Sequence, residues 1–267
     1  MIDVTKVSAV IEEIAAADVL PRFQALRDED IREKTAGDLV TVVDLEVENI
    51  LTARLQDMLP GSLVVGEEAV HAAPALMEQI DSDAPVWIID PIDGTRNFAH
   101  GRPTFAIMVA LIQHGEAQAA WILEPVSKRF GVAELGSGAW LNGKRMAVAA
   151  PDEPARMTGA LHASSYATRE LARRIDQRRG LVAAIKSLGC AGAEYLRLAA
   201  GEVHFSLFTR LMPWDHVPGA LLQQEAGGVA LCFDRTPYKA GRYREMGLLM
   251  APDQDSWDAL RDTLLAD

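Results

Sequence analysis

The sequence predicts a layered α+β fold in which an antiparallel sheet is followed by a mixed sheet. Three observations carry that prediction. Near the start, Val7, Val10, Ile11 and Ile14 recur at helical spacing. Between residues 105 and 141, four apolar runs alternate with His114-Gly115, Glu124-Pro125 and Gly136-Ser137-Gly138, which reads as an antiparallel meander. Beyond residue 150, helical and strand-like segments intermix.

Residues 4–30 read as helix, broken or kinked at Pro21. Residues 33–40 read as a turn, the tip of a β-hairpin. Thr41 is placed to cap a helix running to about Leu59, with Leu45, Ile50, Leu51 and Leu55 facing inward, and Pro60-Gly61 stops it. Residues 63–65 form a short strand ending at Gly66-Glu67-Glu68, residues 70–80 a weak helix, and residues 86–89 a buried strand. The meander spans 105–113, 117–123, 129–134 and 139–141. Then come a strand near 158–162, helices near 166–176, 181–188 and 192–200, and a strand near 203–208. A helix from about 215 to 226, strands near 229–232 and 247–251, and a helix over 253–265 complete the chain. There is no internal repeat or long linker. A soft boundary at 148–156 divides the chain into an N-terminal α+β subdomain, 1–150, and a C-terminal α/β subdomain, 151–267.

The 267 residues suffice for one large domain or two smaller ones sharing a sheet. The net charge of −12 argues against a general nucleic-acid or membrane-surface binder, which would carry a basic footprint. It leaves room for an anionic substrate, because bound metal ions invert the local field. Cys190 and Cys232 form no close pair, so a disulfide framework or zinc cluster is not expected and a reducing, cytoplasmic setting is. The first residues lack the charged-then-apolar architecture of a secretion signal, and no run approaches the length of a membrane span.

The chemistry concentrates in Trp87-Ile88-Ile89-Asp90-Pro91-Ile92-Asp93-Gly94-Thr95-Arg96-Asn97-Phe98. A buried strand runs straight into two carboxylates. Two like charges about 4 Å apart repel by about 4 kcal/mol at an effective dielectric near 20. A bound divalent cation relieves that repulsion, and hard oxygen ligands favour magnesium, calcium or manganese. Gly94 permits a tight turn, and Thr95 supplies a hydroxyl and an amide where a helix would start, a place that attracts phosphate. Metal ligands beside an anion cradle point to chemistry on a phosphate. Asp-Gly-Thr also occurs in phosphatases with an aspartate nucleophile, in the pattern Asp-x-Asp-Gly-Thr. Pro91 stands where that nucleophile would be, so attack by metal-bound water is favoured. The alternative is an acidic strand-end turn with no ligand.

Further carboxylates sit at element ends. Glu67 and Glu68 follow a short strand, Asp44 lies one helical turn after Thr41, and Asp215 follows Trp214. Each also has a plainer reading: a solvated strand end, an exposed helix residue, an N-cap. Taken in order, Asp38-Leu39-Val40-Thr41-Val42-Val43-Asp44, Gly66-Glu67-Glu68, Asp90-Pro91-Ile92-Asp93-Gly94-Thr95 and Trp214-Asp215 with Glu225-Ala226-Gly227-Gly228 resemble the inositol monophosphatase family, lithium-sensitive and magnesium-dependent phosphatases. The resemblance covers nearly the whole chain.

It implies an αβαβα sugar-phosphatase fold. It implies that Glu67, Asp90 and the carbonyl of Ile92 hold a first magnesium, and that Asp90, Asp93 and Asp215 hold a second. Glu67 would also orient water around a weaker third ion. Manganese would substitute, whereas lithium and calcium would inhibit. Thr95, hydrogen-bonded to Asp44, would position and activate the attacking water, and the amides of Gly94 and Thr95 would receive the phosphate. Paired metals suit phosphoryl transfer because they clamp the attacking and leaving oxygens.

The alcohol half of the substrate is read elsewhere. The resemblance points to Gly192 and Glu194, in Cys190-Ala191-Gly192-Ala193-Glu194, to residues just before Trp214, and to Asp93 and Asp215 as further substrate contacts. Inositol-specific members place a glutamate seven residues before the metal aspartate, where this chain has Phe208. They have a small apolar residue where this chain has Glu194. Both departures speak against myo-inositol phosphate. Arg210 would grip a second anionic group, or is a surface arginine. Sugar and polyol phosphates therefore lead, followed by fructose 1,6-bisphosphate, histidinol phosphate and nucleotide 3′,5′-bisphosphates.

The six histidines form no ligand spacing, and only His216 adjoins a site residue. The basic run 169–179 reads as a solvated helix face. Lys34, on the loop before Asp44, has a possible gating role by resemblance. The resemblance also implies a homodimer. A second reading, from another class, is a regulatory protein that keeps the phosphatase frame and binds a macromolecule.

Overall fold

Asp3 accepts the amides of Thr5 and Lys6 on its carboxylate and starts α1 (Val4–Ile14). The computed structural model describes residues 2–35, 38–163 and 167–266. α1 widens into a π-helical turn over Ala15–Val19, and the chain leaves the helix before Pro21, well short of residue 30. β1 (Ile31–Thr35) and β2 (Asp38–Thr41) pair as an antiparallel hairpin. The turn expected over 33–40 is narrower, because residues 33–35 and 38–40 pair as strands; residues 36–37 lie outside the described residues. Thr41 caps α2 (Val42–Met58), whose inward stripe is Val43, Val47, Leu51 and Leu55. Burying each leucine of that stripe stabilises the fold by roughly 1.5–3 kcal/mol. Leu45, expected inside, is 43% exposed. It lies about 200° around the helix from Val47 at 3.6 residues per turn.

β3 (Leu63–Gly66) and α3 (Glu67–Ala72) follow, and a 3-10 stretch, Pro74–Asp81, replaces the second half of the helix expected over 70–80. β4 (Val86–Asp93) extends four residues past its predicted end and is followed by the short α4 (Thr95–Ala99). The meander comprises β5 (Ala106–Gln113), β6 (Glu116–Glu124), β7 (Arg129–Glu134), β8 (Gly138–Leu141) and the unforeseen β9 (Lys144–Arg145). β3 to β9 form one seven-stranded sheet in sequence order, antiparallel except for the β3–β4 pair.

The second half contributes β10 (Thr158–His162), α5 (Arg169–Arg178), β11 (Ala183–Ile185), α6 (Ala191–Ala199), β12 (Phe205–Phe208), α7 (Pro213–Glu225), β13 (Val229–Cys232), β14 (Leu248–Ala251) and α8 (Gln254–Leu265). Its mixed sheet runs β11-β10-β12-β14-β13, with β10 parallel to both neighbours and β14 antiparallel to both of its own. The helix expected over 181–188 is absent. Its apolar run is too short to show a period, and pairing with β10 makes it a strand.

The core explains the layering. Trp87 and Ile89 on β4 pack with Val7, Ile11, Val47 and Leu51 of α1 and α2. Val86 and Ile88, on the opposite face of the same strand, pack with Leu196, Leu221 and Leu222 of α6 and α7. Both faces are covered, so β4 is apolar without alternation. The other side of α6 and α7 meets Leu248 and Met250 of the second sheet. Beyond that sheet, Ile175 of α5 and Trp257 and Leu260 of α8 pack on Phe205, Leu207 and Leu249. The sequence of layers is helix, sheet, helix, sheet, helix.

Candidate active site

β3 and β4 are parallel, so their C-terminal ends deliver Glu67 and Asp90 to the same edge of the large sheet. The β4–β5 pairing is irregular between Asp90 and Asp93. The amide of Ile92 turns back onto Asp90 Oδ1 at 3.1 Å. Gly94 then takes φ +85°, a left-handed conformation that starts α4; a Cβ there would also stand 3.1 Å from the carbonyl oxygen of Gly189. Across the cleft, Pro213 opens α7 and places Asp215 in its first turn. Glu67, Asp90 and Asp215 each offer one carboxylate oxygen, all within 4.8 Å of one another. Asp93 stands beside this trio. Its Oδ2 accepts the Gly192 amide at 2.6 Å and the Cys190 thiol at 2.9 Å.

The electrostatics follow from crowding. Burial, then the charges of Glu67, Asp93 and Asp215, push the Asp90 carboxyl well above the usual carboxylate range. Burial, Glu67 and Asp93 do the same to Asp215, against the pull of Arg210 and Lys34. Asp93 is also raised by burial, and its hydrogen bonds from Cys190 and Gly192 oppose the rise. A cluster of hard oxygen donors that cannot all ionise together is chemically suited to a divalent cation. The residues present therefore fit the metal that the resemblance implies.

Thr95 and Asp44 meet at this site. Thr95 Oγ1 lies 3.1 Å from Asp44 Oδ1 and 3.0 Å from the carbonyl oxygen of Ile92. Asp44 is held in turn by the amide of Thr41 at 2.9 Å and by its hydroxyl, a capping box at the start of α2. Burial pushes the Asp44 carboxyl up to about 6, its bonds from Thr41 notwithstanding.

The base of the site is built by Glu48 and Lys34. Glu48 accepts the amides of Glu68 and Ala69, each at 2.8 Å, and so holds the first turn of α3. A Cβ on Gly66 would stand 2.4 Å from the Glu48 carboxyl carbon, which is why glycine precedes the two glutamates. Lys34, on β1, reaches in with Nζ 2.7 Å from both Glu67 Oε1 and Glu68 Oε1. Burial alone would depress the ammonium; the two carboxylates outweigh it and hold it well above the ordinary lysine range. Burial and Glu67 push Glu68 up to about 7 despite Lys34.

A cavity of about 180 Å³ opens over Asp93 and Asp215. Arg210 lines it, as do His162, Phe208 and Ser187. Gly192 lies beneath, its amide engaged by Asp93. Glu194 does not line the cavity. It is buried behind the wall, with Oε1 accepting from Ser187 Oγ at 2.9 Å and the Leu188 amide at 2.8 Å, while His162 Nε2 bonds Oε2. The histidine is the wall residue that sequence reasoning missed. Nothing near position 162 signals it, because its partners come from residues 194 and 208. His216 is a buried member of the lining, and burial drives its pKa down to about 3. Its Nε2 therefore donates to the Arg210 carbonyl at 2.7 Å, and Nδ1 accepts from the Tyr195 hydroxyl at 2.9 Å. A larger groove of about 670 Å³, lined by Val4, Leu123, Phe130 and Trp140, contains none of these acids. Among the described residues, no helix is long and apolar enough to cross a membrane.

Residues 2–263 match the Inositol monophosphatase family. The Nus factor SuhB of Pseudomonas aeruginosa is 33% identical over 243 residues, covering 88% of this chain and 85% of that protein. The inositol-1-monophosphatase of Bacillus subtilis is 34% identical over 207 residues, 76% of this chain and 75% of its own. The solved extragenic suppressor protein SuhB of Bartonella henselae superimposes with a TM-score of 0.83 at 25% identity, covering 98% of each chain. With its layers in the sugar-phosphatase order and its acids gathered at one edge, the chain belongs to the inositol monophosphatase family, and with it to the phosphoric monoester hydrolases.

Proposed function

We propose that this protein is a magnesium-dependent phosphomonoesterase that hydrolyses a small phosphorylated metabolite, with sugar and polyol phosphates foremost, by attack of water. One observation carries the reading: Glu67, Asp90 and Asp215, from three distant segments, place oxygens within 4.8 Å of one another beside the Thr95–Asp44 pair. Glu67, Asp90, Asp93, Asp215 and the Ile92 carbonyl would hold the ions, two or three in number, with manganese as a substitute. Magnesium, when bound, supplies the positive charge that neutralises the phosphate oxygens and makes water acidic enough to attack.

The protein's own groups do the rest. Thr95 Oγ1, directed at Asp44, keeps a lone pair with which to orient the water. Asp44, whose carboxyl burial raises to about 6, is placed to be the final acceptor of that water's proton. The amides of Gly94 and Thr95 meet the phosphate, and Arg210 stands in the cavity where the alcohol half lies. As the water oxygen bonds to phosphorus, the bond to the alcohol oxygen breaks, and that oxygen takes up a proton from solvent water as it leaves. By likeness to the family we expect a cytoplasmic homodimer, which light scattering checks for assembly.

The test is phosphate release from about a hundred phosphorylated metabolites with magnesium and with EDTA. Release that needs magnesium supports the reading; no turnover across the panel overturns it. The name of the Pseudomonas aeruginosa relative favours a second reading, a binding role beside catalysis. A stoichiometric partner whose capture survives Asp93→Asn supports that role.

A further inference from the structure

The cavity wall opposite the acids contains a side-chain assembly that the hydrolytic chemistry does not use. His162 and Phe208 end the parallel strands β10 and β12 and are register partners. Their rings stack with centroids 4.4 Å apart and planes 9° from parallel. Phe208 stacks in turn on Tyr195 at 5.7 Å. The histidine ring is thus fixed in plane by its neighbour strand and in rotation by Glu194, which holds Nε2. Glu194 is itself fixed by Ser187 and the Leu188 amide. A buried carboxylate that receives three bonds and orients an imidazole is an investment in aiming that ring. The tautomer that directs its Nε2 hydrogen at the carboxylate leaves Nδ1 as an acceptor. Nδ1 has no hydrogen-bond partner among the described residues, and His162 lines the cavity.

We propose that Nδ1 of His162, aimed by Glu194 and Phe208, accepts a hydrogen bond from a hydroxyl on the alcohol half of the substrate. His162 is then a specificity-determining residue, and its preferred substrate class is a phosphate ester whose alcohol bears a further hydroxyl. The inference rests on the phosphatase reading above. It reassigns Glu194 from contacting the substrate to positioning the residue that does.

Glycerol 2-phosphate and isopropyl phosphate test it, since they differ only in the two extra hydroxyls. Phosphate release is measured for both with magnesium, for the wild type, His162→Gln and His162→Asn, alongside the wider panel. The wild type should favour glycerol 2-phosphate by about tenfold or more in kcat/KM, as expected where a site is built to hydrogen-bond a substrate hydroxyl. Gln keeps a donor toward Glu194 but offers no acceptor at the Nδ1 position. It should lose that preference, with the fall in kcat/KM much larger for glycerol 2-phosphate than for isopropyl phosphate. Asn, whose amide oxygen falls near the Nδ1 position, should retain part of it. Equal wild-type rates for the two esters, turnover of other esters but neither of these, or an equal loss on both in His162→Gln each overturn the inference and leave the phosphatase standing. No release from any ester in the panel overturns the phosphatase reading, and this inference with it.

Discussion

The hydroxyl of Thr95 lies 3.1 Å from a carboxylate oxygen of Asp44, although 51 residues separate them in the chain. The contact joins the motif at the end of β4 to the capping box of α2, so the pair proposed to activate water is set by a helix start. Thr95→Val keeps the shape and removes the hydroxyl. It should lower kcat by about 10²–10⁴, the usual worth of a positioned acid or base. Magnesium affinity, read by calorimetry, should stay within about twofold, and Thr95→Ser should recover most of the rate. An unchanged kcat in Thr95→Val would remove Thr95 from the mechanism.

Gly66 and Glu48 should show strong energetic coupling. Gly66 has φ −101°, which any residue adopts, so an added methyl costs only the space that the Glu48 carboxylate fills. Gly66→Ala should destabilise the fold by about 1–3 kcal/mol in urea denaturation, as overpacking does. Glu48→Ala costs stability of its own by orphaning two amides, yet the double variant should cost less than the sum of the two, by about 0.5–3 kcal/mol. Strict additivity would mean the crowding is not real.

The metal-free protein should lose stability as pH rises from 6.5 to about 8. An acid whose folded pKa is raised binds its proton more tightly when folded, so the folded state loses ground as pH climbs from the ordinary pKa to the folded one. Glu68 titrates from 4.5 unfolded to about 7 folded, and Asp90 and Asp215 lie well above 3.8. Below 6.5 the buried, neutral His216, lowered to about 3, works the other way, because there the unfolded state gains a proton that the folded state refuses. Calorimetric scans with EDTA should show Tm falling by a few degrees across that upper window. Saturating magnesium should flatten the slope. A slope that magnesium leaves untouched would count against the acidic cluster as its origin.

Lys34→Met should make the protein lean harder on its metal. Its ammonium is the cation that Glu67 and Glu68 share, and the lysine side chain is only 3% exposed. Removing one partner of a buried ion pair costs about 3–5 kcal/mol. The Tm measured in EDTA should drop, and the rise in Tm on adding magnesium should exceed that of the wild type. Equal magnesium-induced shifts in both proteins would contradict this.

The helix starts, the central strand and the acidic motif were legible because each rests on local chemistry. Thr41 announces α2 by its spacing to Asp44, and Gly94 announces the turn after Asp93. The segment at 181–188 reads as helix in the sequence because only its pairing with β10 makes it a strand. Leu45 lies off the buried face because the inward stripe follows Val43 and Val47. On the recognition side, Glu194 was visible as a departure from the family, yet its position behind His162 depends on a bond between residues 32 apart. Local spacing carries no trace of such a contact.

The two sheets divide the labour. Glu67, Asp90 and Asp93 hang from the end of one, whereas His162 and Phe208 end neighbouring strands of the other, and α6 and α7 fill the gap between them. If the proposed roles hold, substitutions on the smaller sheet would retune which alcohol is accepted without touching the carboxylates on the larger one. Such modularity lets a single scaffold diversify its diet while its reaction stays fixed.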